Sequence, residues 1–186
     1  MQKFLSSAKE IAQIAVMTAL LIGGQFALSA VGGVEIVTIL LLSYCYVFGW
    51  KRGVVVAIAF VLLRNLVFGL SVPDLILYAV YYPTFAIFWG TAGKKIKNLA
   101  ILCAVACLFT ICFTGIDNII KPIFNFFSPY VKWNWRATEL YWIASLPFMA
   151  VQTLCTLFSV LFLFNPLKKV FSAIYGNHKN EKIINR

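Results

Sequence analysis

The chain has 186 residues, enough for one ordinary domain and short for two. Of these, 62% are hydrophobic, 16% aromatic and 12% charged, with a mean hydropathy of +0.89; an ordinary soluble domain is about 25% charged. That excludes a soluble globule and a disordered chain, and 11 glycines and 5 cysteines exclude collagen-like and disulfide-scaffold classes. An integral membrane protein remains, and the net charge of +10 has to be read by position before it is taken as a sign of nucleic acid.

A helix crosses a bilayer with about 20 mostly apolar residues. Six candidate spans occur in chain order, at approximately 11–30, 34–50, 54–70, 75–91, 99–115 and 140–164. The second is short. The third is interrupted by Arg64 and Asn65, the fourth contains Pro83, and the sixth has Pro147 near its start. Proline is tolerated in a span when neighbours re-satisfy the freed carbonyl. Runs such as Val54-Val55-Val56-Ala57-Ile58-Ala59-Phe60-Val61 do not alternate apolar and polar residues, so barrel strands are excluded. The expected fold is all-α: a single transmembrane domain over 1–186, a six-helix bundle with a polar tail at 165–186.

The charges orient it. With the N-terminus in the cytoplasm, the inner segments carry Lys3 and Lys9, Lys51 and Arg52, Lys94, Lys95 and Lys97, then Lys168, Lys169, Lys179, Lys182 and Arg186. Only Glu10 and Glu181 oppose them. The outer segments hold Arg64, Lys121, Lys132 and Arg136 against Glu35, Asp74, Asp117 and Glu139, a net of zero. This positive-inside asymmetry places both termini in the cytoplasm of a multi-pass plasma-membrane protein and accounts for the whole net charge without nucleic acid. The polar start Met1–Glu10 and the long apolar stretch after it do not read as a cleavable signal peptide. Cys45, Cys103, Cys107, Cys112 and Cys155 all lie in spans with no CxxC pair, which suits small apolar packing residues rather than a metal or redox site. The single His178 has no partners in sequence for a metal. No metal and no cofactor is expected.

Ionisable groups at membrane depth usually face a cavity or a partner. Glu35 heads the second span, Arg64 and Asn65 lie in the third, and Asp74 opens the fourth, followed by Tyr78, Tyr81 and Tyr82. Asp117, Asn118 and Lys121 end the fifth, and Trp133, Trp135, Arg136, Glu139, Tyr141 and Trp142 lead into the sixth. These helix ends can converge on one outward pocket. Plainer readings stand beside this. Trp133 and Trp135 suit interfacial anchors as well as ligand stacking. Asp74 and Glu35 suit helix caps, Asp117 with Lys121 suits a local i,i+4 pair, and Arg64 can snorkel. The segment Ile116–Thr138, with Pro122 and Pro129, is the longest expected connection, the length of a lid or binding loop. Gly32-Gly33 suits a turn or a hinge.

In the first helix Ala8, Ala12, Ala15, Ala19 and Gly23 recur at spacings of four, three, four and four, one narrow stripe of small residues. Such a stripe permits close helix approach, either inside the bundle or to another membrane subunit.

Together with the glycine-containing loop into Val34-Glu35-Ile36-Val37-Thr38, the run Tyr46-Val47-Phe48-Gly49 before Lys51-Arg52, and Phe164-Asn165-Pro166-Leu167 after the last span, these features resemble the substrate-binding S components of energy-coupling factor (ECF) vitamin transporters, over roughly residues 8 to 170. The resemblance implies a protein that captures a vitamin or related micronutrient from outside. It docks through Ala8, Ala12, Ala15 and Ala19 onto a membrane T component driven by two cytoplasmic ATPase subunits, and topples to release its cargo. It further implies an outer gate around Val31–Glu35 and a pocket at the ends of the third to sixth helices, with Glu35, Arg64, Asn65, Asp74, Tyr78, Tyr82, Asp117, Asn118, Lys121, Trp133, Trp135, Glu139 and Trp142 as candidate ligand-binding residues. An S component is not an enzyme. In keeping with that, the chain has no GxxxxGK[ST] loop and no Ser/His/Asp constellation. The rivals are a membrane enzyme acting on lipid or isoprenoid through Asp74, Asp117 or Glu139, and a ligand-free structural or regulatory membrane protein.

Overall fold

Apolar segments in hydrocarbon must close their backbone hydrogen bonds internally, and only helices do so within one segment. The computed structural model describes residues 8–31, 33–127 and 134–184. The described residues form α1 (Ala8–Leu28), α2 (Val37–Phe48), α3 (Trp50–Phe68), α4 (Val72–Gly90), a short 3-10 turn (Gly93–Lys95), α5 (Leu99–Phe127) and α6 (Trp135–Ile184), with no strand among them. Four helical segments are long and apolar enough to cross a membrane: Ala8–Leu28, Val72–Lys95, Leu99–Phe124 and Trp135–Gly176. The 12 residues of α2 reach only about 18 Å, short of a hydrocarbon core about 30 Å thick. The α3 helix has 19 residues but carries Lys51, Arg52 and Arg64.

Short as it is, α2 is the centre of the bundle. It packs on α6, α4 and α3, and Val37, Ile39, Leu41, Leu42, Tyr44 and Cys45 are all buried. A helix apolar all round belongs inside. Around it, α3 packs on α4, α5 on α6, and α1 on α3. Phe60, Phe85 and Trp89 complete the core. Two glycines set the spacing. Gly49 alone joins α2 to α3 with φ +91°, a left-handed conformation that favours glycine. A Cβ on Gly90 would overlap the Trp50 backbone, so α4 ends hard against the start of α3.

The contacts sort the connections to two ends. At one end Arg52 pairs with the buried Glu10 at 2.6 Å, Lys94 Nζ donates to the Val47 carbonyl at 3.3 Å, and Lys168 lies 4.9 Å from the centre of the Tyr46 ring. The basic segments therefore share an end. At the other end are Glu35, Asp74, Asp117 and Lys121.

One expectation is corrected. The long connection at Ile116–Thr138 is mostly helix, because α5 continues to Phe127 and α6 begins at Trp135. Pro122 does not stop α5. The carbonyl freed by a proline belongs to the residue four positions earlier, here Asn118, and the Trp142 indole Nε1–H donates to it at 3.0 Å. Beyond the sixth expected span, α6 continues to Ile184, with Pro166 inside the helix. At 50 residues α6 is about 75 Å long, so part of it extends past any hydrocarbon layer.

Replacing Gly90 by Val forces α4 off α3 and is expected to lower stability by about 1–3 kcal/mol. Gly23→Ala, where an added Cβ meets nothing within 4 Å, is expected to be neutral or stabilising. Apparent melting temperatures of the two variants in one detergent check the pair, and equal values would refute the close α3–α4 contact.

Candidate functional site

Lys121 organises the mixed-charge end. One turn of α5 separates it from Asp117, whose Oδ2 lies 2.9 Å from Nζ, and Asp74 Oδ1 of α4 lies 3.5 Å away. The local i,i+4 pair is therefore present, and it also ties α5 to α4. Asp74 sits in the first turn of α4, where a helix N-terminus favours a negative charge. The preceding Ser71 makes no side-chain cap. From α6, the Tyr141 hydroxyl donates to Asp117 Oδ2 at 3.4 Å. Asn118 Nδ2 donates to Ser145 Oγ at 2.7 Å, and that hydroxyl donates to the Trp142 carbonyl at 2.7 Å.

Between α5 and α6, below this cluster, is a cavity of 270 Å³. Its walls are Phe113, Thr114, Asp117 and Asn118 from α5, and Tyr141, Ala144, Ser145, Phe148 and Gln152 from α6. Ligand pockets run from about 300 to 1,000 Å³ and are mostly apolar with a few placed polar groups. This one lies just under that range, the size for one or two rings, and its three aromatic side chains share the lining with two amides, two aliphatic hydroxyls and a carboxylate.

Deeper, Thr114 Oγ1 donates to Gln152 Oε1 at 3.2 Å. Gln152 also hydrogen-bonds the Glu35 carboxylate, which accepts from the Thr38 hydroxyl as well. Glu35 does not cap α2 in the ordinary way, since the cap position is Ile36 and no side chain bonds there. It is half-buried in the connection before α2, with its carbonyl 3.4 Å from Cys155 Sγ. A further rung joins the same helices, Thr110 Oγ1 to Thr156 Oγ1 at 2.9 Å.

On the α3–α4 side, Tyr78 and Tyr82 are buried and tilted against each other with centroids 5.1 Å apart. Phe60 lies edge-on to Tyr82 at 5.1 Å, and Phe113 edge-on to Tyr78 at 5.4 Å. The Arg64 guanidinium stacks over Tyr78 at 3.8 Å and stands 5.6 Å from Phe68. Asn65 is 5% exposed and donates from Nδ2 to the Val61 carbonyl at 2.7 Å.

The fold thus brings Glu35, Arg64, Asp74, Tyr78, Tyr82, Asp117, Asn118 and Lys121 to one end. Trp142 is there too, but its indole nitrogen serves the Asn118 carbonyl. Trp135 is 70% exposed and Glu139 is exposed on the first turns of α6, away from the cavity. Trp133 lies outside the described residues. Gly33, with φ +81°, packs on Val151. Sequence reading missed Thr114, Ser145 and Gln152. The available signal was polar residues four apart inside two apolar runs, Thr110 and Thr114 facing Gln152 and Thr156.

On α1 the buried residues are Glu10, Ile14, Met17, Thr18 and Leu21. Ala8, Ala12, Ala15, Ala19 and Gly23 are all exposed. The small-residue stripe is not used for packing within the bundle. Among the described residues no group of three or more His, Cys, Asp or Glu side chains could hold a metal ion.

No protein-family model, no curated protein and no solved structure matches this chain.

Trp142→Phe keeps an aromatic ring, though a smaller one, and deletes the donor to the Asn118 carbonyl. It is expected to cost about 1 kcal/mol, the worth of one hydrogen bond, and to increase hydrogen exchange in α5 around Pro122. Unchanged exchange there would mean that the indole does not support the helix. Lys121→Met leaves Asp74 and Asp117 facing each other unpaired. Its loss of stability is expected to be largely recovered by adding Asp117→Asn, read as melting temperatures in a double-mutant cycle.

Proposed function

We propose that this protein is a substrate-capture subunit of an ATP-driven importer of the ECF type. It binds a vitamin or related small micronutrient at the mixed-charge end and docks on a membrane T component energised by two ATPase subunits. In this reading the basic end faces the cytoplasm and all six helices span the plasma membrane. The three residues Val34–Ile36 add at most about 10 Å to α2 and bring it close to the hydrocarbon thickness.

The observation that carries the reading is the division of α1. Ile14, Met17 and Leu21 enter the bundle, while the small residues Ala8, Ala12, Ala15, Ala19 and Gly23 stay open on the outer face, beside the exposed Ile11, Val16 and Leu20. Lipid tails are as apolar as leucine, so helix association in a membrane depends on close packing, which small residues permit. The stripe starts at the basic end, beside the Glu10–Arg52 pair. A cytoplasmic motor would act at that end. The cavity between α5 and α6 supports the other half of the reading, a site for a small ring compound near the opposite end.

A lipid-modifying enzyme gains nothing from the same geometry. Asp74 and Asp117 share the Lys121 ammonium, and Glu139 stands exposed on α6. Two of the three are thus committed to an ion pair, and the third faces the exterior rather than the cavity.

The first test is purification in mild detergent followed by mass spectrometry of released small molecules. The expected result is one defined compound approaching one per protein; an empty protein from cells grown in rich medium would overturn the capture reading. The second is Ala15→Trp or Ala19→Trp. Each is expected to retain the compound as the parent does, while uptake into cells and copurification with an ATPase-containing complex fall at least ten-fold. Undiminished uptake in both variants would exclude the stripe as the docking face.

A further inference from the structure

Of the five charged groups nearest the cavity and the tyrosine cluster, three are accounted for by one another: Lys121 with Asp74 and Asp117. The remaining charges are treated differently. Arg64 is half-buried, forms no ion pair among the described residues, and its Nε is buried without a hydrogen-bond partner. Its guanidinium has the face of Tyr78 at 3.8 Å as its main contact. Cation–π stacking offsets part of the desolvation of a guanidinium, but it leaves the in-plane N–H donors unused, and these are the donors that match an oxyanion. Glu35 is the opposite case. Its carboxylate is held by the neutral donors Thr38 and Gln152 and by no cation among the described residues.

Arg64 lies on the face of Tyr78, which with Tyr82 is packed on Phe60 and Phe113. Phe113 and Gln152 also line the cavity, so the tyrosine cluster and Glu35 are continuous with its wall. Next to Arg64, Asn65 is nine-tenths buried or more, and its Oδ1 has no partner; the Gln25 side chain approaches the Tyr78 hydroxyl, and its buried Oε1 is likewise unpartnered. Buried polar atoms without partners are uncommon in a finished core. Of the eight among the described residues, those on Arg64 and Gln25 belong to side chains that approach Tyr78, and Asn65 follows Arg64 in α3.

We infer that the captured compound is a small amphoteric ring compound, with an oxyanionic group (a carboxylate or phosphate) that pairs with Arg64, a ring against Tyr78 and Tyr82, and an N–H donor directed to Glu35. This rests on the capture reading above and narrows it. Anion recognition is assigned to Arg64 rather than to Lys121, whose charge is already shared between two aspartates. Arg136 is exposed at the start of α6, where water solvates it.

The test uses full-length protein purified in detergent and in nanodiscs of phosphatidylcholine alone. Released small molecules are identified by mass spectrometry from the parent, Arg64→Gln and Arg64→Lys. The expected compound carries an acidic group and an N–H, is depleted at least ten-fold in Arg64→Gln, and is partly retained in Arg64→Lys. The extracted compound, re-added to stripped parent protein as the free acid or as its methyl ester, gives a second readout that needs no variant to fold; the ester is expected to bind at least ten-fold more weakly. Ligand-free Arg64→Gln is expected to melt no lower than the ligand-free parent, because it removes an uncompensated buried charge; a purely structural arginine would lower it. A retained compound with no acidic group, or one held equally by Arg64→Gln and the parent, overturns this inference and leaves capture standing. Recovery of an anionic lipid alone, lost in phosphatidylcholine nanodiscs, also overturns it by assigning the guanidinium to a headgroup. A parent that retains nothing overturns the capture reading itself.

Discussion

A charge in hydrocarbon needs a counterion, a ring face or a path to water, and this requirement decides where nearly every ionisable side chain of the bundle sits. Glu10, 4% exposed, could not be buried on α1 without Arg52 at 2.6 Å. That pair fastens the first helix to the third at the basic end. Lys121 does the same between α4 and α5 at the other end, with two aspartates in place of one. Both contacts join helices that the apolar surface alone would let slide, since lipid provides no hydrophobic force between them. The charged contacts therefore set register and rotation, while the apolar residues fill space.

Neutral polar groups are handled inside each helix. Thr18, Thr84, Thr91, Thr110 and Thr153 each return their hydroxyl to the carbonyl four residues back. A hydroxyl satisfied in this way costs little in an apolar span. Thr110 then has acceptor capacity left for the Thr156 hydroxyl on α6, so one hydroxyl serves both the helix and its neighbour, while Thr114 gives its proton to Gln152 on α6 instead. The Trp142 indole at the Asn118 carbonyl applies the same rule to a gap left by proline. These contacts let α5 stay helical past a residue that would end it in isolation.

That rule also explains how much could be read from the sequence. The helical class, the approximate positions of α1, α3 and α4, and the gathering of basic segments at one end followed from hydropathy and charge placement, because both are summed over many residues. The i,i+4 pair of Asp117 and Lys121 was legible for the same reason: its geometry is local. The course of α5 beyond Gly115 was not. Asp117, Asn118, Lys121 and Pro122 together look like the end of a span, and only partners supplied by α4 and α6, distant in sequence, keep the helix going. The same holds for the site. The acidic and basic candidates were visible as types, but which cation lacks a counterion depends on whether Asp74 meets Lys121 or Arg64, and nothing in the one-dimensional pattern distinguishes those pairings. Trp135 and Glu139 are close in sequence to the cavity wall but do not line it, because α6 turns them to the exterior.

The open stripe on α1 poses a different physical question from the charges. In water an unpacked face of alanines would be a loss of buried area; in lipid it is nearly neutral, because alanine exchanges one apolar neighbour for another. Stability therefore neither requires nor forbids that the small residues face outward. What they alter is the distance of approach. With no side chain beyond Cβ, and with open space around Gly23, a second helix can come close enough for backbone-to-backbone dispersion and weak Cα–H contacts. The opposite face, where Glu10, Ile14, Met17 and Leu21 are fixed by ion pairing and packing, holds the rotation of α1 in place. A stripe is a surface only if the helix cannot turn, and the buried carboxylate beneath it is what prevents the turn.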